Sequence, residues 1–177
     1  VGLSGAGKSN LLGFLAARQP LPGHRFALVD CNRLPERSLP AFFRLIRRAL
    51  GEERGAPEDL EALDLAIEHH LDQPLCLLFD RLDDLAFDDD LGQVAAANLR
   101  ALRDAHKYRL TYVTATRRPL PARTEFVELI HANTLWLGAM SERDARWNVE
   151  RFAARKGLMW SEAEVEGQHH GLLVDAA

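Results

Sequence analysis

Apolar positions along the chain alternate between helical spacing and short continuous runs. Helical spacing predicts helices over Lys8–Arg18, Ser38–Leu50, Pro57–Leu71, Thr124–His131 and from the Asp88–Asp90 cap to about His106. Continuous apolar runs predict strands at Phe26–Cys31, Leu75–Phe79, Leu110–Thr116 and Thr134–Leu137. Alternating strands and helices are typical of an α/β fold, in which a parallel sheet carries helices on both faces.

The run Leu75–Phe79 differs from the other strands because every one of its residues is apolar. A strand of this kind lies in the middle of a parallel sheet, where helices cover both of its faces. It ends on Asp80, so we expect this carboxylate at the carboxyl edge of the sheet, where α/β proteins bind ligands.

Beyond Gly138 the strand pattern stops. Ser141–Lys156 reads as one amphipathic helix that begins at an N-cap serine and ends at Gly157. The spacing Ser161-x-x-Glu164 is a second capping box. We therefore predict a boundary near Gly138, with one domain over residues 1–138 and the start of a helical subdomain over residues 139–177.

Composition narrows the functional classes. The 22 Lys and Arg against 26 Asp and Glu give a net charge of −4, so we expect no direct contact with nucleic acid. The two cysteines stand far apart, which argues against a disulfide scaffold. No apolar stretch reaches the ~18 residues of a membrane helix, and a cytoplasmic location fits. The chain opens on Val1 without Met, and we expect it to be part of a longer protein.

Residues 2–9, Gly-Leu-Ser-Gly-Ala-Gly-Lys-Ser, match the phosphate-loop pattern G-x-x-x-x-G-K-[ST] at every fixed position. Glycines let successive N–H groups point at phosphate oxygens, the lysine reaches the β/γ-phosphates and the serine ligates Mg²⁺. None of the three lysines follows Asn or Thr, as a guanine-reading motif would require, so adenine is favoured. The candidate nucleotide-binding residues are Ser4, Gly5, Ala6, Gly7, Lys8, Ser9 and Asn10.

Carboxylates and arginines follow the next two strands. Asp80 is the candidate Mg²⁺ ligand beside Ser9, although a strand-terminal Asp is also an ordinary turn residue. Asp83 and Asp84 are candidates to orient or deprotonate an attacking water; the alternative is a solvated acidic loop, which we favour for Asp88–Asp90 as a helix cap. Arg117 stands at the end of the third strand, either as a γ-phosphate sensor or in a surface turn.

These three elements, in this order, resemble the P-loop ATPases of the additional-strand class, and within it the AAA+ and STAND ATPases. Asp80-Arg-Leu-Asp83-Asp84 is similar to the Asp-x-x-Asp/Glu motif of STAND proteins, and Thr114–Arg117 to their sensor. Residues 137–145 resemble the entry into the helical lid of origin-recognition-type ATPases. Residues 167–173 are similar to the family's G-G-H-P-G-L-L segment, with Gln168 and His170 in place of Gly and Pro.

The resemblance implies a three-layer P-loop fold with strand order 5-1-4-3-2, a truncated first strand and a partial helical lid. It also implies an ATP- and Mg²⁺-binding switch, with slow ATP hydrolysis, in a larger signalling or defence protein. The partners of this chain would be ATP and the other domains of the same protein. The resemblance is also compatible with a homo-oligomer that forms when nucleotide binds. Arg81 stands where hydrolysing relatives often carry Glu. Two alternatives stay open: a DNA-associated origin-recognition-like or transcription-regulator module, and a small-molecule kinase.

Overall fold

The computed structural model describes residues 1–2, 5–52, 58–120, 125–130, 133–138, 140–159, 161 and 164. Helices and strands alternate through most of this length, as the apolar pattern predicts. A 3-10 turn at Cys31–Arg33 follows the first strand. The elements are α1 (Lys8–Arg18), β1 (Arg25–Asp30), α2 (Leu39–Leu50), α3 (Leu60–Glu68), β2 (Leu75–Asp80), α4 (Asp83–Ala86), α5 (Asp89–Ala105), β3 (Leu110–Ala115), α6 (Glu125–Ile130) and α7 (Glu142–Lys156).

The three strands form a parallel sheet in the order β1-β2-β3. All six residues of β2 are buried, which confirms the prediction of a central strand covered on both faces. The full order 5-1-4-3-2 of a five-stranded sheet, which the resemblance implies, stays a prediction.

Apolar side chains pack against both faces of the sheet. The larger cluster includes Phe42 from α2 and Phe79 from β2, whose ring centroids are 5.8 Å apart. The smaller cluster joins Leu12 of α1 to Cys76 and Leu78 of β2. Because successive side chains of a strand point to opposite faces, the all-apolar run of β2 contributes to both clusters. The predicted arrangement of helices on both faces is confirmed.

Capping residues set the helix ends. The Ser38 side chain accepts a hydrogen bond from the Ala41 N–H at the start of α2, and Gly51 ends that helix with φ 89°. Ser141 and Gly157 do the same for α7. Each cap satisfies backbone groups that a helix end leaves without an intrahelical partner. The predicted capping box is also present, since Ser161 N–H donates to a Glu164 carboxylate oxygen at 2.8 Å.

Two predictions of local structure differ from the result, and one short helix was not predicted. The helix predicted over Pro57–Leu71 is shorter: α3 spans Leu60–Glu68, because the Asp59 side chain caps its start. Pro57 lies outside the described residues. The strand predicted over Thr134–Leu137 is wrong: the described part of this segment makes one parallel bridge, between Leu137 and Gly2. The residues after β2 form the four-residue helix α4, which the apolar pattern does not reveal.

The chain divides into two compact units. Val1 and Lys8–Leu135 form the first, which contains the sheet and α1–α6; Gly2–Gly7 and the segment from Trp136 onward form the second, which contains α7. The boundary predicted near Gly138 stays a prediction. Among the described residues, no helix is long and apolar enough to cross a membrane.

Candidate functional site

Asp80 is the last residue of β2 and lies at the carboxyl edge of the sheet, as predicted. It pairs in register with Asp30 of β1 and Ala115 of β3, so all three strands end at the same level. The residue is 7 % exposed, and its Oδ1 is buried without a hydrogen-bond partner among the described residues. A buried carboxylate oxygen left without a partner is costly, so this atom is suited to a ligand that supplies positive charge.

The donor chemistry of this edge fits Mg²⁺. Carboxylate and hydroxyl oxygens are hard ligands, and Mg²⁺ usually takes one or two carboxylates and keeps several waters or phosphate oxygens. In the described part of the chain, no group of three or more His, Cys, Asp or Glu side chains forms a metal site made by the protein alone. The Asp80 carboxylate is a donor of the kind that Mg²⁺ prefers.

Asp83, the first residue of α4, is only 3 % exposed. Its Oδ1 accepts a hydrogen bond from the Arg117 backbone N–H at 2.7 Å, and its Oδ2 lies 3.5 Å from Arg117 Nε. The alternative of a solvated acidic loop is therefore wrong for Asp83. Asp84 is the next residue of α4, but its side chain lies outside the described structure. Asp88 is a helix cap, as predicted, since its side chain accepts from the Leu91 N–H at the start of α5.

Arg117 follows β3 and so lies on the segment next to Asp80 and Asp83. Its side chain is half exposed and pairs with the buried Asp83. The next residue, Arg118, places its guanidinium carbon 3.7 Å from the centroid of the Phe87 ring, a cation–π distance. The two arginines thus contact the segment after β2, which distinguishes this turn from a purely solvent-facing one.

Lys8, the lysine of the phosphate-loop pattern, is the first residue of α1. Burial lowers the pKa of its ammonium group, the Asp83 and Asp80 carboxylates oppose this shift, and Arg117 and Arg81 add to it. Lys8 therefore lies within electrostatic range of the charged residues at the sheet edge. Ser9 and Asn10 follow in the first turn of α1, and both are exposed.

The loop that precedes α1 has the backbone shape that its glycines permit. Gly5 and Gly7 adopt φ values of 84° and 82°, a region that other residues rarely occupy. Gly2 has a different requirement: a Cβ at this position would lie 2.5 Å from the carbonyl oxygen of Leu137. Ala6 is partly buried between the two glycines, and Ser4 lies outside the described residues.

Two features of this edge of the sheet are not evident from the sequence motifs. Arg81, directly after Asp80, has a left-handed backbone with φ 55° and donates a hydrogen bond to the Asn32 side-chain oxygen at 3.3 Å. Non-glycine residues in this conformation are uncommon and concentrate at functional sites. Asn32 could have been found by its place just after β1, because polar residues that follow parallel strands meet at one edge. The link from Asp83 to Arg117 has no local signal.

Comparison with known proteins supports the fold. No protein-family model matches the chain, and no curated protein matches it. The ORC2 protein of Aeropyrum pernix, solved as ADPNP-ADP complexes, is similar with a TM-score of 0.62 and 20% identity, over 87% of this chain and 44% of that one. The structure of Cdc6p from Pyrobaculum aerophilum is similar with a TM-score of 0.50 and 20% identity, over 85% and 41%.

The chain spans less than half the length of either protein. At 20% identity, these likenesses show a shared fold, namely an α/β structure with a parallel sheet and helices.

Proposed function

We propose that this chain is an ATP-binding module of the AAA+ or STAND type, which acts as a nucleotide-dependent switch within a larger signalling or defence protein. One observation carries the proposal: Asp80, at the carboxyl end of the central strand, keeps a buried oxygen without a described partner. Its carboxylate also opposes the lowering of the pKa of Lys8, the lysine of the phosphate-loop motif, by burial. A buried carboxylate near a motif lysine is the pair that a Mg²⁺-nucleotide requires.

In this proposal the residues Ser4–Asn10 hold the phosphates. The left-handed backbone at Gly5 and Gly7 supports the role, because loops of this shape direct N–H groups toward an anion. Lys8 binds the β- and γ-phosphate oxygens, while Ser9 and Asp80 ligate Mg²⁺. When bound, Mg²⁺ neutralises negative charge that builds on the phosphates.

Hydrolysis is the second part of the proposed chemistry, and we expect turnover to be slow. Asp83 already accepts the Arg117 N–H and forms an ion pair with its side chain, so an attacking water would have to share this carboxylate with Arg117. Asp84 is the other candidate for orienting water. At position 81, a hydrolytic carboxylate is replaced by Arg81, which cannot act as a base at neutral pH. Arg117 would stabilise charge on the terminal phosphate.

The fold likeness adds support of a different kind. The ORC2 protein of Aeropyrum pernix was solved as ADPNP-ADP complexes, so a protein of this fold binds adenine nucleotides. Because the present chain spans less than half of that protein, the activity and partners of the whole protein are part of the proposal. They include further domains of the same chain and a nucleotide-dependent homo-oligomer.

The metal half of the proposal is tested by calorimetric titration with ATP in Mg²⁺ and in excess EDTA. The unmodified chain should bind ATP more tightly with Mg²⁺, and Asp80→Asn should lose most of this difference because it removes the charge at the buried oxygen. Asp72→Asn, an exposed carboxylate in the turn after α3, is the matched control and should behave like the unmodified chain. Equal Mg²⁺ dependence in Asp80→Asn and Asp72→Asn would exclude Asp80 as the ligand.

A second candidate is an ATPase module that works in a DNA-associated assembly. The fold likeness to the ORC2 and Cdc6p structures favours this candidate, whereas the net charge of −4 opposes direct DNA contact by these residues. Retention of the protein on double-stranded DNA, measured as a function of salt concentration, separates the two candidates. A salt-dependent retention that Mg²⁺-ATP strengthens would support the DNA-associated module.

A further inference from the structure

Asp83 makes two contacts of different kinds with Arg117, a residue 34 positions away. The hydrogen bond from the Arg117 backbone N–H to Oδ1 is 2.7 Å long, which is short for a bond of this type. The Arg117 side chain is farther away, with Nε at 3.5 Å from Oδ2. The Arg117 backbone N–H is therefore closer to Asp83 than the Arg117 guanidinium is.

Other contacts hold this loop without the Arg117 side chain. The Leu82 N–H donates to the Ala115 carbonyl at 3.3 Å, and the Arg118 guanidinium stacks on the Phe87 ring. Both join the segment around α4 to the end of β3. The loop therefore has contacts with this segment that do not involve the Arg117 guanidinium.

The two side chains of this ion pair differ in their exposure to solvent. The Arg117 side chain is 50% exposed, whereas the Asp83 side chain is 3% exposed. Oδ2 of Asp83 has no hydrogen-bond partner among the described residues, so its contact with Nε is a longer ion pair. Solvent at the exposed arginine screens this ion pair in part, and an anion with more charge than a carboxylate can compete for the guanidinium.

We propose that Asp83 is a positioning residue that fixes the backbone of Arg117 and competes with the terminal phosphate of a bound nucleotide for its guanidinium. The strength of this competition sets the preference of the chain for a triphosphate over a diphosphate. The inference rests on the proposed function, because it requires nucleotide to bind at this edge of the sheet. It assigns Asp83 a role in ligand discrimination in place of water activation.

The substitution Asp83→Asn separates the two contacts. Asparagine keeps an oxygen that can accept the Arg117 N–H, but it removes the charge that holds the guanidinium. We expect Asp83→Asn to raise the ratio of ATP affinity to ADP affinity by about three- to five-fold. A change of this size corresponds to the strength of one partly exposed ion pair. Arg117→Gln should lower the same ratio below that of the unmodified chain.

The double variant Asp83→Asn with Arg117→Gln distinguishes competition for the guanidinium from a general effect of the Asp83 charge. With Arg117→Gln already present, Asp83→Asn should change the ATP/ADP ratio by less than about two-fold, because no guanidinium is left to release. An equal rise in both backgrounds would show that Asp83 acts only through its charge, and no rise in either would show no competition. Either result overturns the inference.

Controls separate this result from misfolding and from failure of the proposed function. Asp64→Asn alters another carboxylate contact, the 2.6 Å pair with His106, and should leave the ATP/ADP ratio unchanged. If Asp83→Asn does not fold, Arg117→Gln alone decides, and an unchanged ratio in that variant overturns the inference. If the unmodified chain binds neither nucleotide, the proposed function fails first.

Discussion

Gly92 of α5 lies so close to Leu85 of α4 that a Cβ on residue 92 would come within 2.7 Å of the Leu85 carbonyl oxygen. Real Cβ atoms essentially never come so close to a backbone atom. The start of α5 therefore supports the short helix that begins at Asp83. Glycine is needed at position 92 for this close approach, and its backbone conformation there is ordinary.

Gly92→Ala should lower the free energy of unfolding by about 1–3 kcal/mol, the usual cost of adding an atom to a packed contact. Gly13→Ala is the matched control, since Gly13 also lies in a helix and a Cβ there meets no atom within 4 Å. This variant should be neutral or up to about 1 kcal/mol more stable, because alanine is the better helix former. Urea denaturation measures both, and equal stability of the two variants would contradict the packing argument.

The two tyrosines offer a second matched pair. The Tyr112 hydroxyl donates to the Leu99 carbonyl at 2.8 Å, whereas Tyr108 is 95% exposed. We expect Tyr112→Phe to lower the free energy of unfolding by about 0.5–1.5 kcal/mol, which is the net contribution of one hydrogen bond to stability. Tyr108→Phe should change it by less than about 0.5 kcal/mol, as is usual for surface sites. If Tyr108→Phe cost as much as Tyr112→Phe, the hydrogen bond would not be the cause.

The same tyrosine predicts a dependence on pH. Burial raises the pKa of the Tyr112 phenol above its ordinary value of 10.0. Above that pH the unfolded chain loses this proton and the folded chain keeps it, so the folded state is progressively disfavoured. The stability advantage of the unmodified chain over Tyr112→Phe should therefore shrink between about pH 8 and about pH 11. Denaturation at the two pH values measures the advantage, and a constant difference would exclude the shift.

Lys8 should show its environment through its reactivity. Because burial lowers the pKa of its ammonium group, a larger fraction is present as the nucleophilic amine at a given pH. Mg²⁺-ATP bound at this lysine would restore the charged form and cover it. We expect ATP to slow acylation of Lys8 by several-fold, measured by mass spectrometry of labelled peptides, and to leave the exposed Lys107 unchanged. Equal labelling of Lys8 with and without ATP would contradict a phosphate contact.

Most of the fold could be predicted because its signals are local. Helix ends follow from side chains that cap nearby backbone groups, such as Ser38 and Ser141. The all-apolar run of β2 indicates its burial without knowledge of its neighbours. The strand predicted at Thr134–Leu137 fails for the opposite reason: its short apolar pattern is real, but strand formation depends on what pairs with it, and the described residues supply one bridge.

The candidate site also has a part that could be predicted from the sequence and a part that could not. The places of Lys8 and Asp80 follow from the motif spacing and from the rule that parallel strands end at one edge. The contacts of Asp83 could not be predicted, because they depend on the way α4 and the loop after β3 come together across 34 residues. The close packing at Gly92 likewise cannot be predicted from the sequence, because it depends on how α4 and α5 pack together. The chemical roles of these residues remain proposals.

The most direct test of the central claim is the affinity of the chain for Mg²⁺-ATP, measured by isothermal titration for the unmodified chain, Lys8→Ala and Lys107→Ala. Loss of the motif lysine removes charged hydrogen bonds to phosphate, so Lys8→Ala should bind at least about ten-fold more weakly. Lys107→Ala, which removes an exposed lysine in the turn after α5, should bind within about two-fold of the unmodified chain. Equal affinity of Lys8→Ala and the unmodified chain would contradict the account.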